Sequence, residues 1–142
     1  MLKFDAYSYL SQHGIKPSVQ RQAIITYLYE HRTHPNVDDI FTALQPVIRT
    51  LSRTTIYNTL HLFHDHGAIL ALTINGETVH FDFNTQSHTH FYCLKCNKVF
   101  DVPEMECPTP TLPKKYDFEV TEYHFYLKGY CKQCKAENEK QL

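Results

Sequence analysis

The sequence predicts an α+β chain in two parts: a helical part closed by a β-hairpin, then a small cysteine-rich α/β part. Three observations carry this reading. Apolar residues recur at three- and four-residue spacing in successive stretches before Gly67. Two β-rich runs flank Asn75-Gly76. Two Cys-x-x-Cys pairs, Cys93 with Cys96 and Cys131 with Cys134, bracket aromatic and β-branched residues in the second half.

The first helix is expected over Asp5–His13, with Phe4, Tyr7 and Leu10 along one face and Gly14 as its stop. Ser18 caps a second helix that runs through His31 and buries Ile24, Ile25 and Leu28. A third starts near Asn36 or Val37. Val37, Ile40, Phe41 and Leu44 follow the i, i+3, i+4, i+7 pattern, Asp38 and Asp39 suit the positive helix N-terminus, and Pro46 ends it. Ser52 caps a fourth helix running to about His66, with Gly67 beyond it. Its buried stripe is Ile56, Leu60 and Phe63, and its other face carries Arg53, Thr54, Thr55, Tyr57, Asn58 and His61. Ala68–Ile74 and Glu77–Phe83 then form a hairpin on a two-residue type I′ turn at Asn75-Gly76.

Helices in that order with a terminal hairpin make a winged helix-turn-helix, over residues 1–83. A small α+β domain without a nucleic-acid role has the same pattern. Residues 84–87 read as a hinge and 88–142 as a second domain. Phe91–Val102 and Phe118–Tyr130 are expected as strands, the segment between Pro103 and Pro113 as mostly loop, and the charged tail after Lys135 as frayed. A second domain this small has little core, so it needs a metal staple or a partner chain.

The chain has 142 residues, 42% of them hydrophobic, which suits one domain or two small ones. Its net charge is −1, and residues 1–80 balance Lys3, Lys16, Arg21, Arg32, Arg49 and Arg53 against six acidic residues, so charge gives DNA binding no support. No apolar stretch reaches transmembrane length and Met1–Leu10 has no signal-peptide core, so the expected location is cytoplasmic, with no membrane partner. Reduced thiols in that compartment favour metal binding over disulfides.

Four thiolates from Cys93, Cys96, Cys131 and Cys134 close a tetrahedron around a structural zinc and leave no open position. Unmodified thiols or a redox pair are the alternatives. A second set, His88 and His90 with Asp82 upstream and Asp101 downstream, offers harder ligands. His88 and His90 point the same way in an extended segment. Imidazole and carboxylate suit manganese, ferrous iron or zinc, although polar loop residues give the same local pattern. His13, His31, His61, His64, His66 and His80 read as ordinary polar residues.

The chain resembles the ferric uptake regulator (Fur) superfamily of bacterial metal-responsive repressors. The resemblance runs from Gly14 to Cys134. It is carried by Gln20-Arg21, His34-Pro35 with Asp38-Asp39-Ile40, Thr55-Ile56-Tyr57-Asn58-Thr59-Leu60, Phe81-Asp82-Phe83, His88-Thr89-His90 and both cysteine pairs. It implies a winged-helix DNA-binding domain, a hinge and a dimerisation domain with zinc on the four cysteines. It also implies a regulatory metal, iron(II) or manganese(II), on His34, Asp82, His88, His90 and Asp101. One ion held by residues of both domains would favour one arrangement of them, and a shift from 1:99 to 99:1 needs roughly 5.5 kcal/mol of differential affinity. A homodimer would then present two recognition helices about 34 Å apart to a double-stranded operator with an inverted repeat. Tyr57 and Arg53 are the first choices for base or phosphate contact, followed by Asn58 and Thr55, with Arg21 on a phosphate. Core packing is the other reading of Tyr57.

Within that superfamily the chain is most similar to the peroxide-sensing (PerR-type) branch. Asp101 stands where iron sensors usually carry Glu, the Phe-Asp-Phe context of Asp82 is similar, and no cysteine lies near His88. In that branch metal-catalysed oxidation strikes the histidines that map to His34 and His88. The second reading is an iron-responsive repressor of iron-uptake genes. The chain departs from the family in three ways. Thr89 and Tyr123 replace the ligands of an additional metal site, with His124 one residue out of register. The proline-rich segment replaces what is usually a helix, and Cys107 matches no family ligand. An enzyme reading fails for want of a spare general base, and a zinc-ribbon module that binds only protein would leave Arg53 and Tyr57 without effect.

Overall fold

Each of the first four helices begins at a side chain that accepts from its unpaired amides. The computed structural model describes residues 3–73, 78–86, 88–106 and 111–140, and the chain divides into two units, Met1–Thr85 and Gln86–Leu142. In the first, α1 spans Ala6–Gln12, α2 Val19–Glu30, α3 Val37–Leu44 and α4 Arg53–Asp65. Asp5, Ser18 and Ser52 accept from the third amide of α1, α2 and α4 at 3.1, 3.2 and 3.1 Å. Asn36 and Asp39 satisfy each other's amides at 2.8 and 3.0 Å, a capping box at the start of α3.

Two of these helices end alike. Gly14 and Gly67 adopt φ of +73° and +74°, the left-handed conformation that a side chain disfavours. Each passes its amide back to Ser11 or His64, while Ile15 and Ala68 reach back to Leu10 and Phe63. This reversal covers the last helical carbonyls and turns the buried Ile15 and Ala68 into the core. Ile24, Ile25 and Leu28 of α2, Ile40 of α3 and Ile56, Leu60 and Phe63 of α4 fill that core.

A two-stranded wing follows, β1 over Leu70–Leu72 and β2 over His80–Asp82. Asn75 and Gly76 lie outside the described residues. The register pairs Leu72 with His80, whereas a plain two-residue turn at Asn75-Gly76 would pair Leu72 with Val79. His80 and Asp82, two residues apart on β2, share one face of the strand and pair with Leu72 and Leu70.

In the second unit, β3 (Thr89–Cys93) lies between β4 (Val99–Asp101) and β5 (Phe125–Gly129), antiparallel to the first and parallel to the second, and α5 (Lys132–Lys140) follows. The second unit differs from the sequence expectation in three places. The strand expected over Phe91–Val102 is two strands joined by a turn, with Asn97 at φ 62°. Cys93 and Cys96 on one extended strand would point to opposite faces, so converging their sulfurs requires the turn. The strand expected over Phe118–Tyr130 is confined to Phe125–Gly129, because it pairs with a β3 of only five residues. The tail is helical: the Lys135 amide bonds the Cys131 carbonyl at 2.8 Å, and Lys95 meets Asn138 at 3.1 Å and Glu137 at 3.4 Å. The described residues between Pro103 and Pro113 form neither helix nor strand, and Cys107 lies outside them.

Candidate metal centre

Chain geometry, and no single motif, brings the four sulfurs together. The β3–β4 turn delivers Cys93 and Cys96, and the passage from β5 into α5 delivers Cys131 and Cys134. Their ligand atoms all lie within 4.8 Å of one another. Cys96 Sγ and Cys131 Sγ stand 3.9 Å apart, close to the edge of roughly 3.8 Å that four thiolates at about 2.3 Å from a tetrahedral zinc require. The donors therefore fit the ion. Burial opposes ionisation of Cys93, but hydrogen bonds from the backbone of Cys96, Cys131 and Lys95 outweigh it and hold its thiol down to about 6. Burial and the neighbouring sulfurs push Cys134 up to about 12, and burial raises Cys96. Cys93 thus favours the thiolate, and Cys96 and Cys134 favour the thiol.

The harder ligands form a group in each unit. In the first unit His34 Nε2 lies 3.2 Å from Asp82 Oδ2, with both side chains 3% exposed. Asp82 Oδ1 accepts from the Asn84 amide at 3.0 Å. In the second unit the register sets His90 opposite Asp101 across β3 and β4. Asp101 Oδ1 lies 2.8 Å from His88 Nε2 and 3.4 Å from His90 Nε2, and the two imidazoles are 4.1 Å apart. His88 Nδ1 meets the Gln86 carbonyl at 2.6 Å, which leaves Nε2 as the ligand atom. Each group presents imidazole nitrogen with carboxylate oxygen, the donor chemistry of first-row divalent ions such as manganese and ferrous iron.

The residues singled out for DNA lie mostly on the surface of α4. Arg53, Tyr57 and Asn58 are exposed, Tyr57 by 51%, which removes core packing as the reason for its presence. Its ring rests on His61 at 4.4 Å. Thr55 is half-buried and accepts from the Ser52 hydroxyl at 2.9 Å. Arg21, also half-buried, donates through Nη1 to the Lys16 carbonyl at 2.9 Å. Arg53 has partners that its sequence neighbourhood does not disclose: Nε donates to Asp38 Oδ1 at 2.8 Å, and the guanidinium lies 4.1 Å from the Phe41 ring centre. α3 thereby holds an arginine of α4 by a charged hydrogen bond and a cation–π contact.

The sequence profile of the ferric uptake regulator family matches residues 12–128. The chain is 37% identical over 135 residues to the peroxide-responsive repressor PerR of Staphylococcus epidermidis, covering 94% of this chain and 90% of that one. It is 38% identical over 132 residues to PerR of Staphylococcus aureus strain Mu50, covering 92% and 89%. Among solved structures, PerR from Streptococcus pyogenes superposes with a TM-score of 0.52 at 28% identity, over 92% of this chain and 94% of that one. The Helicobacter pylori ferric uptake regulator Fur shares the fold, with a TM-score of 0.69 at 19% identity over 94% and 97%. A profile match over most of the length, and relatives more than a third identical along nearly all of it, give one answer: the chain belongs to the ferric uptake regulator family.

Proposed function

We propose that this chain is a metal-dependent DNA-binding repressor that senses peroxide, a regulator and not an enzyme. The observation that carries the reading is the His/Asp donor chemistry: His34 against Asp82 in one unit, and His88 and His90 converging on Asp101 in the other. In this reading the five side chains share one regulatory iron(II) or manganese(II), and the four cysteines hold a structural zinc. The names of the PerR relatives in Staphylococcus support the peroxide-sensing branch over an iron-responsive one.

Iron(II) held there would supply the redox chemistry by which hydrogen peroxide gives one oxygen atom to an imidazole while the other leaves as water. The chain's part is to hold His34 and His88 where they take the resulting oxygen, and oxidation of either imidazole lowers its value as a ligand. Because the ligands come from both units, losing one weakens whichever arrangement the ion favours. We read residues 1–83 as the DNA-binding domain, 84–87 as the hinge and 88–142 as the dimerisation domain. The partners are a second copy of the chain and an operator with an inverted repeat, met through Arg53, Thr55, Tyr57 and Asn58 of α4 and through Arg21. Among the described residues no helix is long and apolar enough to cross a membrane, and we place the protein in the cytoplasm.

The test is operator binding by the protein loaded anaerobically with iron(II) or with manganese(II), before and after a small dose of peroxide. Release by the iron form alone is the expected result. Retention by both forms would transfer the chain to the iron-responsive reading.

A further inference from the structure

His34 holds its position against the preference of its own backbone. Its φ is 58°, in the left-handed region where a Cβ is disfavoured, and it sits in the loop between α2 and α3, outside any helix or strand. A residue in that conformation persists only when its surroundings fix it. Two neighbouring residues of β2 do so. His80 Nδ1 lies 2.8 Å from the His34 carbonyl oxygen, and the Phe81 amide donates to the Pro35 carbonyl at 2.9 Å. A carbonyl only accepts, so Nδ1 of His80 carries the proton and donates it. His80 is 8% exposed, so water competes poorly for this bond.

The same strand carries Asp82 two residues on, and side chains two apart on a strand share a face. β2 therefore supplies one member of the His34–Asp82 pair and clamps the backbone of the other. We infer that His80 is a positioning residue for the regulatory metal: by donating Nδ1–H to the His34 carbonyl, it keeps His34 Nε2 facing Asp82 Oδ2 at 3.2 Å. The competing role for a buried histidine on a wing strand is to fill space between β2 and the helices. That role accounts for burial, but it gives Nδ1 no specific acceptor.

This inference rests on the reading that His34 and Asp82 bind the regulatory ion, and its test separates the two. Manganese(II) binding is titrated on the zinc-loaded, full-length protein by calorimetry and by the loss of the free-ion paramagnetic resonance signal. His80→Leu keeps volume and removes the donor. His80→Asn places an amide donor where Nδ1 stood. Removing a residue that orients a metal ligand typically lowers metal affinity 10–100-fold, so His80→Leu should weaken manganese binding by at least tenfold. His80→Asn should restore it to within about threefold of the parent, with zinc content unchanged in both. Should His80→Leu not fold, His80→Gln, whose amide reaches the Nε2 position instead, takes its place in the comparison. Equal affinity in parent and His80→Leu, or equal weakening in the Leu and Asn variants, overturns the positioning role. His34→Ala is the control. If it leaves manganese binding intact, the metal-site reading falls and the inference falls with it. If it abolishes binding while His80→Leu does not weaken it, only the inference falls.

Discussion

Extraction of zinc from Cys93, Cys96, Cys131 and Cys134 should unfold residues 86–142 and leave the helices of the first unit standing. Among the described residues of the second unit, the buried apolar side chains are Tyr92 and Val99, together with Cys93 and Cys134 themselves. Burial of Tyr92 and Val99 contributes on the order of 3–6 kcal/mol, at about 1.5–3 kcal/mol for each side chain. A structural zinc contributes roughly 10–16 kcal/mol at neutral pH in small domains that fold around it. The ion therefore outweighs the apolar term, and half of that small core consists of its own ligands. The first unit differs: Leu10, Ile24, Ile25, Leu28, Ile40, Ile56, Leu60 and Phe63 are all essentially inaccessible there. Hydrogen exchange read by mass spectrometry, with zinc content measured on the same samples, separates the two. After chelation, amides of β3 and β5 should lose protection while those of α2 and α4 keep theirs. Persistent protection of Thr89–Cys93 and Phe125–Gly129 in zinc-free protein would refute the claim that the ion holds this unit.

Three further outcomes are expected. Asp101→Glu adds one methylene to the carboxylate that meets both His88 and His90; the variant should keep metal-dependent operator binding but need several-fold more peroxide for release, read by fluorescence anisotropy. Tyr57→Ala and Arg53→Ala should each weaken operator binding at least tenfold, about the 1.4 kcal/mol scale of one lost base or phosphate contact. Removing the exposed Tyr57 should barely move the circular dichroism spectrum and melting temperature, and losing the exposed Arg53–Asp38 pair should cost stability no more than about 1 kcal/mol. Zinc uptake by the metal-free protein at pH 7.5 should expel protons from Cys96 and Cys134, whose values lie above an ordinary thiol's, and none from Cys93, already ionised above about 6. Acid removes that advantage: as pH falls through about 6, Cys93 takes up a proton and zinc affinity drops faster. Calorimetry in buffers of different ionisation heat counts the protons.

Where the chain could be read locally, the sequence was enough. Ser18, Asn36 and Ser52 cap helices because a short polar side chain placed before an apolar-periodic run has few other uses, and Gly14 and Gly67 end helices because left-handed backbone favours glycine. The cysteine set was legible from spacing. His34 was not: nothing near it in sequence marks it as a candidate ligand, and only the family resemblance pointed to it. The same holds for partners that meet across the fold. His80 bonds a residue 46 positions away, and Arg53 meets Asp38 from the neighbouring helix. α5 carries no sequence signal because a helix tethered by cysteines and by Lys95 needs no apolar stripe. The strand boundaries of the second unit failed for a related reason: pairing partners and the turn that converges Cys93 and Cys96, not β-propensity, set where those strands stop.

The most direct test of the account is the mass of two peptides. The iron(II)-loaded protein is exposed to a small dose of peroxide, digested, and the peptides containing His34 and His88 are sequenced by mass spectrometry beside a manganese(II)-loaded control. The account predicts one added oxygen on His34 or His88 in the iron form, none in the manganese form, and none on the exposed His61 of the same molecule. Oxidation spread evenly over the exposed histidines, or absent from both ligands while the iron form still releases its operator, would contradict it.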